Sequence, residues 1–301
     1  MLKPVKFLSL FLMCMALLQA CALTGSQDPA DKKQAIQERI DTAKLIIEDK
    51  GFTPYEFSND IFDLFGFLKI EDVSKPLVIY LEGDGFAYAT RSRPSNDPTP
   101  KNPIALRLAA IDTASNIFWL ARPCQYSLEK NKEGLQAGNL PEACETRYWT
   151  TARYSREIIT AIELSIQDVL NQYDVPAIDL VGFSGGGAVA VLLAKRFSKV
   201  QSLRTVAGNI DHVALMRQKK VTPLSGSLDP AKIAPSLKDL PQTHFVGEDD
   251  DIVPPWLARR FVDKYTGTRC AKVILIEDAE HQEGWEALWQ DAASIIPACK
   301  E

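Results

Sequence analysis

Histidine is scarce in this chain: three residues in 301. Any chemistry that needs an imidazole must use His212, His244 or His281. Basic clusters are missing as well. No run of lysine and arginine exceeds a dibasic pair, and the formal net charge is −5. The electrostatic footprint of a nucleic-acid binder is therefore absent. No internal repeat and no low-complexity linker interrupts the chain, which argues against a repeat array or tethered modules. Hydrophobic residues make up 46% and charged residues 24%, a globular balance rather than a disordered one. The length suits one large α/β domain or two small ones.

What is present begins with a leader. Lys3 and Lys6 precede an apolar run from Phe7 to Leu18, of signal-peptide length and too short to span a bilayer. Leu18-Gln19-Ala20-Cys21 follows and resembles a bacterial lipobox. That resemblance implies a signal peptide over 1–20, lipidation of Cys21, and a membrane contact made through the lipid anchor. Ala22 stands where an aspartate would signal inner-membrane retention. By resemblance to enterobacterial sorting, the expected address is the outer membrane of a Gram-negative cell envelope. Cys14 leaves with the leader, and Cys124, Cys144, Cys270 and Cys299 remain. Four cysteines allow three pairings. In an oxidising compartment the expected ones are Cys124–Cys144 and Cys270–Cys299. For the second pair, Cys270 precedes a strand and Cys299 ends a helix returning antiparallel to it. The two elements have similar lengths, roughly 23 Å, so their far ends should meet.

Residues 21–50 read as a tether and an outer helix, with Ile36, Ile40, Leu45 and Ile47 as a partial apolar face. Residues 51–301 read as one domain with loop insertions. Phe52–Phe57 and Phe62–Ile70 suit an opening pair of strands. Leu77–Leu81 is a continuous apolar run typical of a buried parallel strand. Ile117–Leu120, Ile178–Val181, Leu203–Val206, His244–Val246 and Val273–Ile276 read the same way, some with polar interruptions. Between them lie helical segments. One carries an apolar face of Ile158, Ile162, Ile166, Val169 and Leu170; others span Gly185–Phe197, Trp256–Tyr265 and Glu283–Ile296. In the last, Trp285, Leu288, Trp289, Ala292 and Ile296 recur at helical spacing as core candidates. Alternating strands and helices predict a mainly parallel sheet covered on both faces. Arg91–Asn102, Pro123–Thr150 and Lys219–Pro241 read as loops following strand ends, facing a substrate.

Gly182-Phe183-Ser184-Gly185-Gly186 matches G-x-S-x-G. It directly follows a buried strand and opens an apolar helix, as a nucleophile elbow requires. The competing reading, a phosphate loop, lacks its lysine. Strand, elbow, helix and the flanking strands resemble the α/β-hydrolase superfamily over about residues 50–300. That resemblance implies a nucleophile, an acid and a base in that chain order, each just beyond a strand end. Ser184 is the expected nucleophile. His281, after Val273–Ile276, matches the base position; His212 is its rival, and His244, inside a strand, reads as structural. Gly247-Glu248-Asp249-Asp250-Asp251-Ile252-Val253-Pro254 resembles the pattern G-x-x-D-x-x-V-P and selects Asp250. Asp249, Asp251 and Asp211 remain open as the acid, and the acidic turn could instead hold a cation such as calcium. The oxyanion hole should take one amide from Gly185 and a second from Glu82-Gly83-Asp84-Gly85, at Asp84 or Gly85. Glu82 replaces the superfamily's usual histidine.

The implied function is an exported, lipid-anchored serine hydrolase of esterase or lipase type. It would cleave a carboxylic ester of a small-molecule or lipid acyl substrate through an acyl-enzyme. No metal and no organic cofactor is expected. An acyltransferase or peptidase with the same triad, and a non-catalytic binding lipoprotein on the same fold, remain open. Fold alone does not separate them.

Overall fold

The computed structural model describes residues 29–131 and 134–300. The expectations at residues 1–20 and Cys21 lie outside them. Eight strands form the central sheet: β1 (Thr53–Ser58), β2 (Asp63–Ile70), β3 (Leu77–Leu81), β4 (Asn116–Leu120), β7 (Ile178–Phe183), β8 (Val200–Val206), β9 (Gln242–Gly247) and β10 (Ala271–Ile276). Their spatial order is β1-β2-β4-β3-β7-β8-β9-β10. β2 runs antiparallel to β1 and β4, and every other pairing is parallel. β3, β4, β7 and β9 are buried at every residue. That burial explains their continuous apolar runs: a strand covered on both faces has no solvent side on which to alternate.

Helices cover the two faces. α3 (Arg156–Gln172), α4 (Gly185–Leu193) and α7 (Trp256–Phe261) supply one apolar cluster with Ile162, Val189 and Phe261. α1 (Pro29–Ile46), α2 (Ile104–Ile111) and α8 (Glu286–Ser294) supply the other with Ile40, Leu108 and Trp289. Also present are α5 (His212–Lys219), α6 (Pro230–Ile233) and a separate hairpin of β5 (Leu128–Asn131) and β6 (Gly134–Ala137). No helix among the described residues is long and apolar enough to cross a membrane.

Several expectations change. The hairpin and a 3₁₀ turn at Thr146–Trp149 occupy Pro123–Thr150, which reads as loop in the sequence. α2 and α5 form in stretches where the sequence shows no helical signal. Lys219–Pro241 follows α5 rather than a strand end and contains α6. Leu45, Leu288 and Ile296 are exposed rather than packed. Helical spacing marks a stripe, but its width depends on what lies opposite. α8 buries only Trp285 at its start, Trp289 and Ala292. It also ends at Ser294, before Pro297, which cannot continue it. Cys299 therefore sits in a tail, not at a helix end. It still reaches Cys270, because the Lys300 amide donates to the Arg269 carbonyl at 2.6 Å and brings the two segments together. Cys124 is bonded to Cys144.

Candidate active site

In an open parallel sheet, functional groups gather beyond the carboxyl ends of the strands, where successive loops converge. Ser184 directly follows β7 with φ +50° and ψ −117°, a backbone conformation sparsely populated by residues with a Cβ. Its neighbours must be glycine for reasons of space. A Cβ on Gly182 would overlap the Gly186 carbonyl, and one on Gly186 would overlap the Leu81 carbonyl of β3. The sharp turn therefore needs both glycines, and it lifts the serine side chain clear of the sheet.

Ser184 Oγ lies 3.0 Å from His281 Nε2. His281 Nδ1 lies 2.9 Å from Asp250 Oδ2. The other Asp250 oxygen accepts from the amides of Ile252 (2.9 Å) and Val253 (2.8 Å), so the carboxylate cannot swing. The Trp285 indole donates to the His281 carbonyl at 3.1 Å and fixes the base's loop. The Phe183 ring packs 5.4 Å from the imidazole. With Nδ1–H donated to Asp250, Nε2 carries the free lone pair and can accept the serine proton. This geometry can turn a weak hydroxyl nucleophile into an effective one.

The rival residues are occupied elsewhere. Asp211 caps α5 by accepting from the Ala214 amide at 3.0 Å and pairs with Arg260 at 2.9 Å. His212 donates to the Leu228 carbonyl at 3.0 Å. His244 is fully buried in β9, 2.9 Å from Thr205 Oγ1, and burial lowers its pKa to about 4. Asp249 and Asp251 are exposed. Among the described residues, no cluster of three or more histidine, cysteine or carboxylate side chains is placed to hold a metal ion.

Gly185 opens α4, so its amide has no helical acceptor. Among the described residues the amides of Gly185, Asp84 and Gly85 donate to no protein acceptor. Asp84 lies against the first turn of α4, since a Cβ on Gly185 would overlap its carboxylate. Gly85, at φ +63°, packs on Pro98 and Gln125. Asp84 and Gly185 therefore lie side by side, and Gly85 is one residue farther along.

Glu82 is buried behind this loop. It accepts from the Gly83 amide (2.9 Å), the Trp119 indole (3.1 Å) and the Leu106 amide at the start of α2 (3.3 Å). Burial pushes its carboxyl up to about 7 despite those donors. It thus ties the loop after β3 to β4 and α2.

Four further residues here carry no signature in the sequence: Arg122, Gln125, Arg153 and Tyr154. Gln125 donates to the Gly83 carbonyl at 3.0 Å. The other three surround the Asp84 carboxylate. Arg122 Nη1 approaches at 3.3 Å, Arg153 Nη1 at 2.7 Å and the Tyr154 hydroxyl at 3.1 Å. Burial would raise the Asp84 carboxyl, but Arg153 and Arg122 outweigh it and hold it below the usual carboxylate range. These partners come from the loop after β4 and the segment before α3, so only the folded chain assembles them.

No curated protein matches the chain in sequence. In structure it is similar to the esterase PF2001 of Pyrococcus furiosus, at 12% identity and a TM-score of 0.55, covering 83% of this chain and 90% of that one. It is also similar to Est1E from Butyrivibrio proteoclasticus, at 13% and 0.53, covering 79% and 95%. Naproxen esterase (carboxylesterase NP) of Bacillus subtilis is similar at 11% and 0.51, covering 90% and 97%. At these identities the likeness establishes the α/β-hydrolase fold. The family described as Serine hydrolase (FSH1) matches residues 116–281. That match is more than half of the sequence, running from the first residue of β4 to His281 itself and enclosing Ser184 and Asp250; the chain belongs to the serine hydrolase (FSH1) family.

Proposed function

We propose that this serine hydrolase is an exported, lipid-anchored carboxylic-ester hydrolase working through Ser184, His281 and Asp250. The observation that carries the reading is the continuous chain of contacts from Ser184 Oγ through the imidazole to Asp250, at 3.0 Å and 2.9 Å. His281 Nε2 takes the hydroxyl proton as Ser184 Oγ attacks the acyl carbonyl. The carbonyl oxygen gains negative charge and accepts from the amides of Gly185 and Asp84. The imidazolium, stabilised by Asp250, returns the proton to the leaving alcohol, and an acyl-serine remains. Water then attacks with His281 again as base, releasing the carboxylic acid and restoring the serine. Export and anchoring rest on the leader and on Cys21. The envelope location agrees with two disulfides.

The test is fluorophosphonate labelling of the full-length chain in detergent, with ester turnover beside it. Ser184→Ala and His281→Ala should lower kcat about 10⁶-fold, and Asp250→Ala about 10⁴-fold. Full turnover by the Ser184→Ala protein sinks the reading. Cys21→Ser expressed in a Gram-negative host should lose palmitate incorporation and leave the membrane fraction; a variant that stays lipidated overturns the anchor.

A further inference from the structure

Beside the proposed nucleophile lies a charge imbalance that the hydrolytic cycle does not use. Two guanidinium groups, Arg122 and Arg153, share one carboxylate, Asp84. Among the described residues no other carboxylate pairs with either arginine. Arg122 is 4% exposed and its Nε is buried with no hydrogen-bond partner. Its Nη2 donates to the Arg153 carbonyl. Arg153 uses Nε on the Thr150 carbonyl (2.7 Å) and Nη1 on Asp84. Its Nη2 donates to no protein atom among the described residues, and its side chain keeps 13% exposure. A buried cation without full compensation is costly; burial depresses the Arg122 pKa despite Asp84, whereas Asp84 outweighs burial and raises that of Arg153, so the shortfall sits on Arg122, directly behind Arg153.

The cluster is physically continuous with the reacting serine. Asp84 lies against Gly185. The Asn209 amide donates to the Ser184 carbonyl at 2.9 Å, and the Asn209 side chain donates to the Tyr154 hydroxyl at 3.4 Å. Tyr154 in turn donates to Asp84. A surplus positive charge, one guanidinium donor without a protein acceptor and a partly dry setting are the elements of an oxyanion-recognition site, because arginine's planar fork matches carboxylate and phosphate.

We propose that Arg153, backed by Arg122, binds an anionic group of the substrate, so that the ester cleaved at Ser184 carries a carboxylate or phosphate near its scissile bond. This rests on the ester-hydrolase reading and narrows its substrate class. The carboxylate or phosphate completes the charge balance, with Asp84 holding both guanidinium groups in place.

The test compares matched esters with the full chain in detergent. One pair is p-nitrophenyl hemiglutarate against p-nitrophenyl valerate; the other is dihexanoyl glycerophosphate against dihexanoylglycerol. The expected result is at least a tenfold higher kcat/KM for the anionic member of one pair or both. The hemiglutarate pair places the anion as carboxylate on the acyl side, and the glycerophosphate pair as phosphate on the alcohol side. Arg153→Gln should lower the anionic-to-neutral ratio about tenfold, and Arg153→Lys should retain part of it. Equal kcat/KM for both members of both pairs overturns the subsite while leaving the hydrolase intact. So does an Arg153→Gln variant that loses both rates in parallel, the mark of a purely structural or oxyanion-stabilising role. If no ester turns over and no fluorophosphonate label is taken up, the hydrolase reading itself falls and the subsite with it.

Discussion

Glu82 and His244 are buried groups that pull stability in opposite directions over the same pH range. The folded-state pKa of Glu82 is raised from 4.5 to about 7. The folded protein therefore holds a proton that the unfolded chain has lost, and stability falls as pH rises from 4.5 to 7. His244 is lowered from 6.5 to about 4. Here the unfolded chain holds the extra proton, and stability falls as pH drops from 6.5 to 4. Each is worth about 3 kcal/mol, so the two nearly cancel between pH 4.5 and 6.5. Glu82→Gln should unmask the histidine: measured by urea unfolding, its stability relative to the unmodified protein should improve by about 3 kcal/mol from pH 5 to pH 8. His244→Gln should change the other way. A difference that stays constant across pH would mean that neither group titrates as described. Neither effect is readable from the sequence, where Glu82 is a departure from a motif and His244 a polar interruption in a strand.

At the scale of the element, helix starts do two different jobs. α4 begins without a capping side chain on the strained Ser184, leaving the Gly185 amide free for a substrate oxygen. α5 begins at Asp211, whose side chain caps it and also holds Arg260 of α7. Removing the Asp211 cap should cost about 1 kcal/mol, with a further contribution from the Arg260 pair. Asp211→Ala should therefore lower the unfolding midpoint yet keep fluorophosphonate labelling. Loss of labelling in a folded Asp211→Ala protein would return Asp211 to contention as the acid. α7 depends on α5 in this way, which spacing along the chain does not reveal. α2 is hidden in the sequence for a different reason: Ile104–Ile111 is only eight residues long and apolar on nearly every side. A segment of that kind has no periodicity to separate helix from strand.

At the scale of the molecule, the two disulfides close segments of different consequence. Cys270–Cys299 ties the tail to the start of β10 at the sheet edge, and Cys124–Cys144 anchors the loop that carries Arg122 and Gln125. Each should contribute about 3 kcal/mol by restricting the unfolded chain. The Cys270→Ser/Cys299→Ser protein should lose stability while keeping ester turnover. The Cys124→Ser/Cys144→Ser protein should lose both, because its loop buttresses the one after β3. Equal turnover in the two variants would show that the Arg122 loop holds its position unaided. The sequence by itself determined the parallel sheet and the elbow at Ser184, and its resemblance to the α/β-hydrolase superfamily ordered the nucleophile, acid and base candidates. Each of these is local: an apolar run, a glycine pattern, or a residue just past a strand end. Tertiary structure brought Asp250, which the motif selects, rather than Asp249, Asp251 or Asp211 to His281, and it alone decided that Leu45, Leu288 and Ile296 stay exposed and that Arg122, Arg153 and Tyr154 converge on Asp84. Those outcomes depend on side-chain direction and on partners many residues away, and packing rather than spacing sets both.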